Sequence, residues 1–260
     1  MNKTNTDINT IGGIPDYAMI YDVLRMLSAD VPASKIEKTV VTDNLYGIRT
    51  ENSRRRFLSV IKSAFWKFEN DAHETLIRTL FQASGFETTK RLALFLMLAV
   101  NNTLFENITR HVFIKTYFSG RVQISSADIS AYLRHACETD AVTRKWSDTT
   151  LNTVASKYLT FLKKIDFVTG RQKKTFKYIR FDNTSLIFFV YLLKAADPDQ
   201  ADLFKNRYCD FLLIEKASLL DILKKAAFST FFDIETAGTD LKVNLKCKYE
   251  ELFHVISSRA

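Results

Sequence analysis

Four histidines, three cysteines and many acids give this chain the raw material for metal, redox or hydrolytic chemistry, but their spacing does not assemble it. His73, His111, His135 and His254 are far apart, with no HxxH or HExxH step to set two imidazoles on one helix face. His111 and His135 fall on helical segments beside aromatic residues, where a structural histidine is the plain reading. Cys137, Cys209 and Cys247 are odd in number and contain no CxxC pair, so neither a disulfide framework nor a structural zinc site is expected. Reduced, buried thiols are. There is no GxxxxGK[ST] phosphate loop, no GxGxxG turn and no GxSxG elbow. Acids such as Glu215 and Asp221 form no pair on a common face. No catalytic residue, metal site or cofactor is expected, and the chain reads as a non-enzyme.

The chemistry that the spacing does support is electrostatic. Residues 144–180 hold ten Lys and Arg against two acids, Asp148 and Asp166, a surplus of eight that equals the formal net charge of +8 for the whole chain. The remainder is balanced, so the surplus is a local field of the kind that attracts polyanions. Within it, residues 148–165 form an expected amphipathic helix. Leu151, Val154, Tyr158, Leu162 and Ile165 recur at three- and four-residue steps and should face inward. The opposite face carries Thr149, Asn152, Thr153, Ser156, Lys157, Thr160, Lys163 and Lys164. Small polar residues early on a helix can approach base edges, and its N-terminus favours an anion. Lysines further along suit phosphates. Arg144, Lys145 and Trp146 lie just before it, where the chain would pass a phosphate strand.

A hairpin should follow, with a turn at 169–172 and Arg171, Lys173, Lys174 and Lys177 near its tip. Such a hairpin can lie across the minor groove while the helix sits in the major groove. One lysine-rich helix face by itself is better explained as a solvated surface; it is the basic hairpin and the order of elements that favour double-stranded DNA. The helix face has little bidentate Arg or Gln, so phosphate-dominated binding is expected. A second basic group comprises Arg49, Arg54, Arg55 and Arg56, with Lys62 and Lys67 beyond. It reads as a solvated helix start, an auxiliary phosphate contact or a partner-protein contact.

Only seven Gly and three Pro among 260 residues, with long 3.6-residue periodicities, predict a mainly α fold. Residues 1–15 read as a flexible arm carrying Gly12, Gly13 and Pro15, and 16–102 as an N-terminal helical bundle. Residues 103–183 give helix, short strand, helix, turn, helix and hairpin, the order of a winged helix-turn-helix unit. There Ser125 with Asp128 resembles a capping box. Residues 184–260 are C-terminal helices, one begun by Asp197-Pro198. A second hairpin over 231–234 and 241–245 is a candidate second winged-like unit, with Asp233, Glu235 and Asp240 to repel phosphate. The longest apolar runs, 92–100 and 186–193, are far below the roughly 18 residues of a membrane span. Both are expected as buried helices, and no membrane association is expected.

From Asn44 to Arg56 the chain reads NLYGIRTENSRRR and resembles the BrxA family of BREX (bacteriophage exclusion) systems, whose signature here is NLLQxRT…S…KR. The family is described in places as an inner-membrane one, against the run lengths above. The resemblance continues through Leu98-Ala99-Val100, Phe113-Ile114-Lys115 and Trp146-Ser147-Asp148-Thr149-Thr150 to Phe167, covering about residues 17–195. Tyr46-Gly47 departs from the usual Leu-Gln. The resemblance implies a small non-catalytic, double-stranded-DNA-binding component of an antiphage defence cluster, while the reduced thiols and the lack of a basic start followed by an apolar run lead to the expectation of a cytoplasmic protein. It further implies companions: a DNA methyltransferase, an ATPase, a phosphatase-like protein and a Lon-like protease. A protein–protein adaptor and an RNA-binding helical module are the competing expectations.

Overall fold

The computed structural model describes residues 3–138, 146–171 and 173–257. The protein is mainly helical, with a few short antiparallel strands. In chain order the helices are α1 (Lys3–Gly13), α2 (Tyr17–Ser28), α3 (Ala33–Glu37), α4 (Glu51–Ala64), α5 (Asp71–Gln82), α6 (Glu87–Asn101) and α7 (Thr103–Ile108). A π-helical turn, Thr109–Ile114, carries α7 into α8 (Lys115–Phe118); another, Lys38–Thr42, extends α3. Then come β1 (Gln123–Ile124), α9 (Ser126–Glu138), α10 (Asp148–Lys164), β2 (Val168–Thr169) and β3 (Lys174–Phe176). The chain closes with α11 (Asn183–Ala196), α12 (Lys216–Leu223), β4 (Phe232–Ala237), β5 (Asp240–Leu245) and α13 (Leu252–Ser257). The chain divides into two units: Met1–Lys67 with Met97–Ile179, and Phe68–Leu96 with Arg180–Ala260.

In the first unit the helix ends follow from local side chains. Thr50 Oγ1 accepts from Ser53 N to open α4. Ser147 does the same for α10 through Thr150 N, and Asn102 for α7 through Phe105 N. Ser125 and Asp128 form the expected reciprocal box, with Ser125 N donating to Asp128 Oδ2 at 2.7 Å and Asp128 N to Ser125 Oγ at 3.4 Å. The core is aromatic. Phe105 lies 5.1 Å from Tyr158 and 5.5 Å from Phe161, and Phe113 lies 5.4 Å from Phe176. Tyr158 is fully buried, and its hydroxyl meets that of Thr109 at 3.0 Å, tying α10 to the π turn.

The flexible arm over 1–15 is a correction. Residues 3–13 are helical, and α1 packs against α4, α7 and α10. Ile11 is 2% exposed and Ile14 9%. Two glycines argued for a loop, yet the burial of these isoleucines outweighs the roughly 1 kcal/mol that each glycine costs a helix.

In the second unit α11 is buried on every side, as its apolar run requires. Tyr191 on it donates its hydroxyl to the Phe231 carbonyl at 3.1 Å. Strands β4 and β5 pair from Phe232↔Leu245 to Ala237↔Asp240, so the expected second hairpin is present. The helix expected at Asp197-Pro198 is absent. Asp197 Oδ2 accepts from Arg207 N, and Asp202 Oδ1 from Phe204 N and Leu241 N. Carboxylates that accept backbone N–H groups compete directly with a helical ladder.

No described helix is long and apolar enough to cross a membrane. The one consecutive pair that would suffice together, α6 with the helix Thr103–Phe118, is broken at Asn102, which caps the second member.

Candidate nucleic-acid interface

Strand β1 pairs with β3 (Gln123↔Thr175, Ile124↔Lys174), and β3 with β2 (Val168↔Phe176, Thr169↔Thr175), giving the sheet order β1-β3-β2. Helices α9 and α10 lie between β1 and β2 in the chain and pack on each other. Leu151, Val154, Tyr158, Leu162 and Ile165 of α10 and its exit are buried, while Thr149, Asn152, Thr153, Ser156, Lys157 and Lys163 are exposed. Apolar burial alone sets this rotation, because the inward positions repeat at the helical period.

Exposure is not the same as freedom to bind. Asn152 Oδ1 accepts from Ser130 Oγ at 2.9 Å, a bond that ties α10 to α9. Thr153 turns its hydroxyl back to the Thr149 carbonyl. Lys164, expected on the outer face, is half-buried. Its Nζ donates to the Ile14 carbonyl at 3.0 Å and pairs with Asp16 at 2.9 Å, holding the end of α1. Asp148 occupies the first turn of α10 and pairs with Arg134 at 2.8 Å. With a carboxylate already there, that helix N-terminus is a poorer anion site than the sequence suggested.

At the hairpin, Arg171 and Lys173 are exposed. Gly170 has φ +104°, and a Cβ there would lie 2.4 Å from the Lys173 carbonyl oxygen, so the turn requires glycine. Lys174 closes the turn from within, its Nζ donating to the carbonyls of Gly170 (3.0 Å) and Arg171 (2.6 Å). Partial burial, then the charge of Lys163, depresses its ammonium below the usual range. Lys177 pairs with Asp166. Arg144 and Lys145 lie outside the described residues.

The second basic group separates in the same way. Arg54 donates Nε to the Val41 carbonyl (2.6 Å) and Nη1 to that of Ile48 (2.8 Å). Arg55 pairs with Glu51 at 2.7 Å, while Arg49 and Arg56 are exposed. The rest of this motif is equally architectural. Asn44, at φ 54°, accepts from Ile48 N at 2.8 Å, and Tyr46 packs on Phe57 at 5.3 Å.

Sequence reasoning missed the residues at the end of α1 and just beyond it that border this surface: Ile11, Gly12, Ile14 and Asp16. The signal was the three-residue step Ile8, Ile11, Ile14, obscured by the glycine pair. By sequence count, the first unit carries 23 Lys and Arg against 13 Asp and Glu, a surplus of +10; the second carries 14 against 16, or −2. Among the described residues no group of three His, Cys, Asp or Glu side chains could hold a metal ion.

A protein-family model described as BrxA matches residues 17–185. No curated protein matches the chain.

Proposed function

The chain belongs to the BrxA family, accessory proteins of BREX (bacteriophage exclusion) defence and not known enzymes, and from that premise we propose that it is a non-catalytic subunit that binds double-stranded DNA through a winged helix-turn-helix. In this reading α10 is the recognition helix and the β2–β3 hairpin is the wing. The carrying observation is that the chain's charge surplus belongs to one unit, at +10, and gathers in the segment that forms α10 and the wing. The element order β1, α9, α10, β2, β3 with sheet order β1-β3-β2 supports the fold assignment. The polar but arginine-poor face of α10 supports phosphate contacts over base readout. The remaining BREX components are the proposed protein partners.

The wing decides the reading. Arg171→Ala with Lys173→Ala removes two exposed cations and leaves the Lys174 clasp in place. Duplex affinity should fall alike on all sequences, and the log–log salt slope should flatten by roughly 1 to 2 units. Unchanged affinity and slope would remove the wing from the interface. A preference for single strands or RNA would replace the duplex reading.

An adaptor function is the second reading, favoured by an exposed apolar cluster at the base of the hairpin. Val122 and Tyr178 are 71% and 79% exposed, and Phe118 lies 5.4 Å from Tyr117, which itself packs on Phe176. Co-purification with a BREX component that survives the wing substitutions but is lost on Tyr178→Ala would favour it.

A further inference from the structure

Of the basic residues on the two candidate surfaces above, some are already engaged within the chain and others are not. Lys164, Lys174, Lys177, Arg54 and Arg55 are spent on carbonyls or carboxylates of the chain itself. Lys157, Lys163, Arg171 and Lys173 are exposed and make no ion pair or hydrogen bond among the described residues, and neither do Arg49 and, on α4, Arg56. Arg56 is remote in sequence from those of α10 and the hairpin, but α1 bridges the gap. Gly12, Ile11 and Ile14 share a small cleft with Lys157, Thr160 and Lys164 of α10. On the other flank, a Cβ at Gly13 would lie 2.9 Å from Val60 Cγ2 and 3.6 Å from Arg56 Nε.

Gly13 therefore has a packing reason, since any side chain there would push α1 off α4. Gly12 has none. A Cβ at Gly12 would meet nothing within 4 Å, and its backbone is not left-handed. Glycine inside a helix destabilises it relative to alanine, so the fold alone does not account for this residue. What its lack of a side chain does provide is open space between the unpaired cations of α10 and Arg56.

We propose that the DNA phosphate path runs from the wing and α10 across the bare Gly12 end of α1 to Arg56 on α4, so that the bound strand is held by two separate parts of the chain. This rests on the winged-helix reading above and extends its footprint. Arg56 neutralises a phosphate, Gly12 allows the backbone to approach, and Lys164 positions α1 rather than contacting DNA.

The test is duplex binding by the full chain over a salt series. Arg56→Ala should weaken binding severalfold and flatten the log–log slope by about 0.9. Arg55→Ala removes the same charge one residue away but from a side chain already paired, and should stay near wild type. Gly12→Glu, sterically allowed, should weaken binding through a carboxylate in the path, while Gly12→Ala should not. If Arg56→Ala and Gly12→Glu both match wild type while Lys157→Ala with Lys163→Ala flattens the slope, the path ends on α10 and this proposal is wrong. If the lysine pair and the wing variant also match wild type, the winged-helix reading falls with it. Should Gly12→Glu lose its cooperative melt, Arg56→Ala decides alone.

Discussion

Arg54 turns its guanidinium inward to the Val41 and Ile48 carbonyls, whereas Arg55 reaches Glu51 on the helix surface. A charged donor shared between two carbonyls is worth more than an exposed i,i+4 pair, because water competes less for it. Arg54→Ala should cost about 2 kcal/mol by urea unfolding, and Arg55→Ala no more than about 0.5 kcal/mol. Equal losses would contradict the assignment. His73 is buried on α5, its Nδ1 accepting from Glu69 N at 3.3 Å and its Nε2 buried without a partner. Burial pushes its pKa down from 6.5 to about 4. The unfolded chain then binds the proton more tightly, so stability is complete above about pH 6.5 and declines as pH falls toward 4. Over that window the loss should approach ~3 kcal/mol. His73→Gln should remove this part of the acid sensitivity; an unchanged pH profile would assign it to other groups.

At the scale of elements, α1 is the informative case. Its glycines belong to a loop by propensity, yet Ile11 and Ile14 are buried and Lys164 clasps the Ile14 carbonyl. Tertiary burial supplies what local propensity withholds. Ile11→Ala should therefore cost about 2 to 4 kcal/mol, as for a core truncation elsewhere. An unchanged urea midpoint would restore the flexible arm. The β2–β3 hairpin shows the reverse relation. Its turn was legible in the sequence because Gly170 must adopt φ +104°, but the direction of Lys174 was not. A four-carbon side chain can reach outward to a phosphate or back to its own carbonyls, and only the turn's geometry selects between them.

Across the whole molecule, charge is distributed unequally, +10 on one unit and −2 on the other. The acids of the second hairpin are largely matched: Asp233 by Lys246, Glu235 by Lys242 and Asp240 by Lys205. That hairpin therefore offers phosphate neither a strong repulsion nor a free cation cluster. The apolar segments 92–99 and 186–193 are buried, which accounts for their hydrophobicity without a bilayer. The protein expressed alone is accordingly expected to leave the membrane fraction on a carbonate wash. Retention in the pellet would place its apolar surface in lipid.

The sequence by itself determined the mainly helical fold, the rotation of α10, the capping box at Ser125 and the position of both hairpins. Each rests on neighbours within a few residues, through helical period, caps and turns. It also determined where the charge surplus lies, since charge is counted and not folded. Only the tertiary structure decided which of those cations remain available. Lys164 and Arg54 look like phosphate ligands until Ile14, Val41 and Ile48 are placed beside them. Those partners are 150, 13 and 6 residues away. Long flexible cations take whichever acceptor the fold brings near, and no local pattern encodes that choice.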